Sequence, residues 1–351
     1  MGDGTKENPF TREDVEARIK ENGGTAEGLD LSQREFERGI DLHALNLERI
    51  ILTRANLREA RMEGANLRFA HLEGVDLRDA HLERADLRNT RSQEARLRRA
   101  QLQEANLTRA HLEGAILRWA YLDAAHLRYI HLEGADLRDT HLERADLRNA
   151  DLQEVRLQHA QLQEANLTRS NLEGANLHET EFSDDTNFVR VYWGDYIIGE
   201  ERKEQFLRAT DIYRRLKQWH TIAGMYDIAG KFYYREREAS RKGARHWNDR
   251  AAGWLSWAVF GHGEGWKRIL FWIAGFILLF ALTYYAIGSI WDWSAFGNSL
   301  YFSAVSFTAL GYGSWVQVTN NWIKGLGAFE SLVGISMMAL LLVTFVRKWT
   351  R

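Results

Sequence analysis

Residues 131–150 read HLEGADLRDTHLERADLRNA, and a leucine returns at every fifth position of this stretch. The same spacing continues through 28 positions from Leu42 to Leu177, where only Met62 and Ser92 replace leucine. A strict period of five matches neither the helical period of 3.6 nor the strand period of 2. We therefore predict a solenoid, in which short units of one kind stack along an axis.

The individual units, such as ANLRE, ADLRD and ANLTR, resemble those of the pentapeptide-repeat family, often written A-(D/N)-L-x-x. The resemblance covers about residues 28–187. It implies a right-handed quadrilateral β-helix with four units, and so about 20 residues, in each coil. Alanine would fit near a corner, leucine would fill the axis, and the other residues would face water. Seven coils stacked at about 4.8 Å would give a rod about 35 Å long.

A second, longer repeat is superimposed on the five-residue repeat. The stretch HLEGVDLRDAHLERADLRNT at 71–90 recurs at 131–150, and QLQEANLTRAHLEGAIL at 101–117 recurs at 161–177, each with few changes. In both cases the second copy begins 60 residues after the first, which corresponds to three whole coils of about 20 residues. A tandem duplication of this length keeps every unit on its original face of the rod, whereas an insertion of another phase would rotate the faces.

The open ends of a solenoid have to be covered. We predict an N-terminal helical cap in residues 1–27, because Thr11 and Asp14 have the spacing of a capping pair at a helix start. Leu31 is one residue out of phase with Leu42, so we expect an irregular first coil.

Residues 188–250 have the composition of a helical linker, which we expect on the cytoplasmic side. Apolar side chains recur at helical spacing in 200–219 and 223–242, which predicts a helical hairpin. A linker that caps the last coil is preferred to a ligand pocket. In 251–265 the apolar and tryptophan side chains can share one face, which predicts an interfacial helix on the membrane. A buried soluble helix is the alternative.

Two apolar stretches follow this linker. Residues 269–287 contain no charge over 19 positions, which is long enough to cross a bilayer, and 326–346 is interrupted only by Glu330. Lys267 and Arg268 precede the first stretch, and further basic residues follow the second. By the positive-inside rule we expect a two-pass protein of the cytoplasmic (inner) membrane with both termini in the cytoplasm.

The segment between the two stretches reads SAFGNSLYFSAVSFTALGYGSW at 294–315. It is too apolar for an exposed loop and too short to cross the membrane twice. We predict a half-membrane pore helix followed by extended backbone, which is tolerated at that depth only inside protein or along a wet cavity. With its flanking spans it resembles the two-transmembrane potassium-channel family, whose filter reads T-T-V-G-Y-G, over about residues 265–348.

This second resemblance implies an α-helical pore-loop channel module at 266–348, in which four chains surround one axis. Its predicted parts are a first transmembrane helix at 268–288, a pore helix at 295–308, a filter at 309–313 and a second transmembrane helix at 325–346. The implied filter residues are Thr308, Ala309, Leu310, Gly311, Tyr312 and Gly313. The carbonyls of Ala309, Leu310, Gly311 and Tyr312 would coordinate K⁺. The implied hinge or pore-lining residues of the inner helix are Gly334, Ile335, Met338 and Leu342.

Two positions depart from the family pattern. Ala309 stands where the filter has its second threonine, which removes a ring of hydroxyls, and Ser314 stands where aspartate is usual. Both leave ion selectivity open. Two roles also stay open for residues of the inner helix: Gly334 is a hinge or permits close packing, and Glu330 is a functional intramembrane group or a hydrogen-bond partner of the pore helix.

The amino-acid composition excludes some classes of function and of binding site. A formal net charge of −2 argues against a nucleic-acid partner, and the absence of cysteine excludes disulfides and thiolate metal sites. We expect His71, His111 and His131 to face water in one column. A metal ladder is the weaker alternative, because Arg91 interrupts the column and no carboxylate or thiolate is expected to complete it.

Three functions remain. The preferred one is a tetrameric, potassium-preferring cation channel with cytoplasmic pentapeptide-repeat domains. The alternatives are a non-selective monovalent cation channel and a non-conducting, membrane-tethered scaffold. No nucleophile–base set or phosphate loop is visible, so we expect no enzyme and no cofactor apart from permeant K⁺. Expected partners are the lipid bilayer, the other subunits of a homotetramer, and an unidentified cytoplasmic protein or ligand on the repeat domain.

Overall fold

The computed structural model describes residues 2–244, 266–287, 293–309 and 321–349, with four isolated positions between 248 and 254. The chain divides into two compact units, residues 1–212 and 213–351. The first unit contains the solenoid, and the second contains helices only among its described residues.

The first unit is a β-helix whose regular coils each contain four of the repeat units. Parallel backbone bridges join residues at the same place in successive coils, from the pair Asp41 and Arg61 to the pair Gln161 and Glu181. Within this ladder the amide of Leu127 donates to the carbonyl of Asp146 in the next coil at 2.9 Å. The coils are therefore joined as strands of a parallel sheet are joined, and the predicted repeat is confirmed.

The leucine of each unit fills the core. Leu107 and Leu127, at the same place in neighbouring coils, are 2% and 1% exposed. Ser92, which replaces a leucine, donates to the hydroxyl of Thr90 at 3.3 Å. Thr90 in turn donates to the carbonyl of Leu87 at 3.0 Å. These two bonds compensate hydroxyl groups whose burial would otherwise be costly.

A tight turn follows each core residue. The second residue after the leucine has a positive φ, as at Arg49 with 59° and Glu94 with 58°. In the first of these turns the amide of Ile50 donates to the carbonyl of Leu47 at 3.2 Å. A positive φ at the third residue of such a turn is the type II pattern. The conformation costs a non-glycine residue about 1–2 kcal/mol, which the bonds between coils offset.

One extra residue enters the coil at each end of the rod. The bridge from Asp30 to Ile51 encloses one residue more than the regular bridge from Asp41 to Arg61, which confirms the irregular first coil. The last bridge, from Asn171 to Tyr192, encloses the same extra residue. The ladder therefore continues past residue 187, the predicted end, because Phe188 keeps a core position and is 1% exposed.

Helix α1, Arg12–Glu21, covers the N-terminal end. Thr11 caps it, and the side chain of Asp14 bonds back to the cap, as predicted from their spacing. Phe10 contacts Phe36 edge to face, with ring centroids 5.6 Å apart, and so closes the first coil.

Helix α2, Gly199–Arg202, covers the C-terminal end. The amide of Gly199 donates to the carbonyl of Ala175 at 2.9 Å. A side-chain carbon at Gly199 would lie 2.7 Å from the carbonyl oxygen of Gly174, so only glycine permits this approach. The next residue, Glu200, is fully buried against the last coil.

The predicted helical hairpin follows. The stretch 200–219 does not form one helix, because α2 ends before helix α3, Phe206–Ile222, begins. Helix α4, Tyr226–Gly243, comes after a turn in which Gly224 has a φ of 73°. Tyr213 and Phe232 pack between α3 and α4, with ring centroids 6.1 Å apart.

Candidate pore site

Three helices form the candidate pore module: α5 (Trp266–Ile287), α6 (Trp293–Thr308) and α7 (Asn321–Trp349). Ile269–Ile287 and Trp322–Val346 are long and apolar enough to cross a membrane, each with a mean hydropathy of 2.1. The ends of the three helices lie within about four residues of the predicted ones. The predicted interfacial helix at 251–265 lies outside the described residues, apart from positions 251 and 254.

Helix α6 packs against both longer helices. Its residues Phe302 and Phe307 are 4% and 1% exposed. Tyr284 of α5 contacts Phe302 edge to face, with ring centroids 4.8 Å apart. A second aromatic contact joins α5 to α7, where the rings of Phe280 and Phe329 lie 6.5 Å apart. Aromatic packing of this kind holds a short helix between two long ones.

Glu330 of α7 lies at the centre of this packing and is fully buried. The hydroxyl of Tyr284 donates to Glu330 Oε2 at 2.7 Å, and Ser303 Oγ forms a hydrogen bond with Glu330 Oε1. Ser303 Oγ also lies 2.8 Å from the carbonyl oxygen of Ile277. One carboxyl group thus ties together α5, α6 and α7. The expected alternative, a hydrogen bond from Glu330 to the pore helix, is confirmed.

Gly334 lies one turn beyond Glu330 on the same face of α7. A side-chain carbon at this position would lie 1.9 Å from the carbonyl oxygen of Phe307, which no real contact allows. Gly334 therefore permits close packing of α7 on the last turn of α6. Its proposed role as a hinge stays a prediction.

The end of α6 leads into the predicted filter. The hydroxyl of Thr308 donates to the carbonyl of Ala304 at 2.8 Å. Ala309 leaves the helix with a φ of 54°, and its amide donates to the carbonyl of Ser306 at 3.1 Å. The other predicted filter residues, Leu310, Gly311, Tyr312 and Gly313, lie outside the described residues.

The predicted pore-lining residues occupy a different face of α7 from the buried one. Ile335, Met338 and Leu342 are 57%, 46% and 64% exposed in the single chain. Their spacing of three and four residues places them along one side of the helix. Apolar side chains exposed in this way need cover from another subunit, from lipid or from the walls of a narrow pore.

The histidine column of the solenoid differs from the expectation in one respect. His111 and His131 stack with their rings 4.6 Å apart and 1° from parallel. Each Nδ1 lies close to a glutamate two residues later, at 2.9 Å for Glu113 and 3.2 Å for Glu133. The expectation that no carboxylate accompanies this column is wrong. The repeated sequence His-Leu-Glu, which puts a glutamate two residues after each histidine, could have predicted it. Because the rings are parallel, their lone pairs do not converge on one point, which favours the water-facing interpretation.

Comparisons with known families divide the chain in the same way as its geometry. Residues 272–351 match the family model described as ion channel. Residues 105–182 match the pentapeptide repeat region, and 40–79 and 76–114 match pentapeptide repeats. Neither is an enzymatic family. The matches and the two apolar helices suggest a membrane protein of the ion-channel class. They support a pentapeptide-repeat region, residues 40–182, fused to a two-transmembrane channel module, residues 272–351.

Three solved structures are similar to part of the chain. HetL of the cyanobacterium Nostoc sp. strain PCC 7120, described as a pentapeptide repeat protein involved in heterocyst differentiation regulation, is 26% identical, with 52% of this chain and 94% of HetL covered and a TM-score of 0.36. A second pentapeptide repeat protein of that Nostoc strain is 33% identical, and the match covers 27% of this chain and 84% of that protein with a TM-score of 0.25. A trypsin-treated variant of QnrB1, a plasmid-mediated fluoroquinolone resistance protein, is 15% identical, with 48% and 91% covered and a TM-score of 0.40. The comparison with curated proteins gives no significant match.

Proposed function

We propose that the chain is the subunit of a homotetrameric cation channel that prefers K⁺ to Na⁺. One observation carries the proposal: α6 packs between two helices of membrane length and leads directly into TALGYG at 308–313. A carbonyl filter needs such a helix to aim the chain toward an axis. It also needs residues such as Gly311 and Gly313, whose backbones can turn successive carbonyls the same way.

Assembly into a tetramer follows from what one chain lacks. A single copy of the filter supplies one carbonyl to each ring of ligands, whereas dehydrating an ion takes several. The single chain also leaves large apolar side chains uncovered, such as Phe271 at 75% and Leu332 at 68% exposure. Neighbouring subunits and the lipid bilayer are the partners that would cover them.

Selectivity rests on the carbonyl groups of Ala309, Leu310, Gly311 and Tyr312, which the sequence retains. Ala309 lacks the hydroxyl that threonine would add at the cytoplasmic end of the filter. The preference for K⁺ therefore comes from the outer ion sites, and the innermost site holds ions weakly. The same alanine, with Ser314, favours the second candidate, a non-selective cation channel.

The basic residues that flank both spans support, by the positive-inside rule, a cytoplasmic position for both termini and a location in the cytoplasmic membrane. The repeat domain would then extend into the cytoplasm as a rigid rod. Its regular coils give it a surface on which a cytoplasmic protein or ligand can bind. The permeant K⁺ is substrate, and no further cofactor is proposed.

The test is ion flux through the purified full-length protein in liposomes. With K⁺ on one side and Na⁺ on the other, the reversal potential should follow the K⁺ gradient. Gly311→Ala should abolish flux, while Gly325→Ala should not, because a side-chain carbon at Gly325 meets nothing within 4 Å. A reversal potential near zero would support the non-selective channel. Absence of any flux would support the scaffold.

A further inference from the structure

The cluster of Glu330, Ser303 and Tyr284 has more acceptors than its hydroxyl groups can serve. The acceptors are the two carboxyl oxygens of Glu330 and the carbonyl of Ile277. The donors are the hydroxyls of Tyr284 and Ser303, and each hydroxyl has one proton. Three contacts would therefore share two protons if Glu330 were ionised. A protonated carboxylic acid supplies the third proton, which it can donate to Ser303 while Ser303 donates to Ile277.

No cation in the described part of the module compensates a charge on Glu330. The sequence has no lysine or arginine between residues 269 and 323, and Lys324 on α7 is exposed. On α5 the titratable side chain that contacts Glu330 is Tyr284, and the tyrosine of α6, Tyr301, is 48% exposed. A buried carboxylate without a partner cation is costly, whereas the neutral acid is not.

A second contact lies one turn along the same interface. Gly334 follows Glu330 by four residues on α7, and Phe307 follows Ser303 by four residues on α6. Ser303 bonds to Glu330, and the backbone of Phe307 packs on Gly334. The pore helix is thus fixed at two points one turn apart, and only Thr308 separates the second point from the turn at Ala309.

We propose that Glu330 is a positioning residue that, as a neutral carboxylic acid, fixes the depth and orientation of the pore helix and so of the filter that follows it. This inference rests on the proposed channel function. Glu330 touches no permeating ion. It acts through Ser303 on α6 and through Tyr284 on α5, so its loss should disturb conduction in channels that still assemble.

The test compares Glu330→Gln with Glu330→Ala in the full-length protein in liposomes. A glutamine carbonyl can accept from Tyr284, and its amide can donate to Ser303, so it reproduces the neutral acid. We expect Glu330→Gln to conduct K⁺ within about twofold of the wild type, and Glu330→Ala to lose about tenfold or more, since an unsatisfied buried group shifts an equilibrium by that order. Ser303→Ala should also lose flux. Ser336→Ala is the matched control, because Ser336 is exposed and its hydroxyl donates within α7, to the carbonyl of Leu332 at 2.9 Å.

Infrared spectroscopy tests the protonation directly. The difference between wild type and Glu330→Gln should contain the carbonyl band of a protonated carboxylic acid at neutral pH. If the wild type conducts and Glu330→Ala conducts equally well, the positioning role is overturned. Equal losses in Glu330→Gln and Glu330→Ala, or the absence of the acid band, would overturn the neutral-acid assignment. If the wild type itself does not conduct, the proposed channel function fails first and the positioning role fails with it.

Discussion

Glu200 gives the repeat domain a pH dependence that one substitution should remove. Glu200 belongs to α2, and its side chain is fully buried against the last coil. Burial raises the pKa of Glu200 from 4.5 to about 7, although the backbone N–H groups of Glu200 itself, His178 and Leu177 lower it in part. Glu200→Gln keeps the shape of the side chain and cannot ionise.

The size and sign of the effect follow from linkage. Because the folded-state pKa lies above the unfolded value, the folded state binds the proton more tightly. The free energy of unfolding is therefore highest below pH 4.5, falls as the pH rises toward about 7, and is constant above that. At about 1.4 kcal/mol for each tenfold step, the gap between the two pKa values corresponds to about 3 kcal/mol. At pH 8 the glutamine variant should be more stable than the wild type by that order.

Hydrogen exchange measured by mass spectrometry on the full-length protein can detect this locally. In the wild type, peptides from residues 171–182 should lose protection between pH 5 and pH 8, after correction for intrinsic exchange rates. In Glu200→Gln that loss should disappear. Glu204→Gln is the control, because Glu204 is exposed in the same segment. An equal loss of protection in the wild type and in Glu200→Gln would refute the reasoning.

Four further outcomes are expected. Leu127→Ala should lower the free energy of unfolding of the repeat domain by about 2–5 kcal/mol in denaturant titrations, because the leucine is 1% exposed; a change below about 1 kcal/mol would contradict the core assignment. Gly334→Ala should reduce K⁺ flux while Gly325→Ala does not, since the added carbon would lie 1.9 Å from the backbone of the pore helix in the first case and would meet nothing within 4 Å in the second. Ala309→Thr should strengthen the innermost ion site without changing the order of K⁺ over Na⁺ in reversal potentials, and an inverted order would count against a carbonyl-based preference. A cysteine at Asp184 should resist labelling from outside intact cells, and external labelling would reverse the topology.

The repeat domain could be predicted in detail because one residue type at one position carries most of the information. Leucine at every fifth position predicted the period and the core, and the resemblance to the pentapeptide-repeat family implied four units in each stacked coil. The turn geometry could not be predicted in the same way. Residues such as Arg49, Phe69 and Glu94 occupy positions of positive φ that glycine would favour. They are tolerated because hydrogen bonds between coils hold each turn, which is a property of the stack and not of the unit.

The pore module could be predicted in outline, since two apolar spans and a half-length helix are visible in the hydropathy pattern. A hydrogen bond from Glu330 to the pore helix was one of two expected roles, but the individual partners Tyr284 and Ser303 could not be predicted, because they are far from Glu330 in the chain and follow no period. Glu200 was missed for a related reason. It stands in the stretch GEER, which is typical of an exposed helix, and it is buried only because α2 folds over the end of the last coil.

Thr140 of the rod and Ser303 of the pore module, both buried, form hydrogen bonds of different reach, and the comparison indicates which substitutions should affect conduction. In the rod, Thr140 donates to the carbonyl of Leu137 three residues earlier, so the bond is completed within one coil. In the pore module, Ser303 reaches the carbonyl of Ile277, which belongs to another helix. Loss of the first bond disturbs one turn of a structure that many other coils hold in place. Loss of the second releases α6 from α5 and from Glu330 together. Substitutions behind the filter should therefore alter conduction more than equally buried substitutions in the rod.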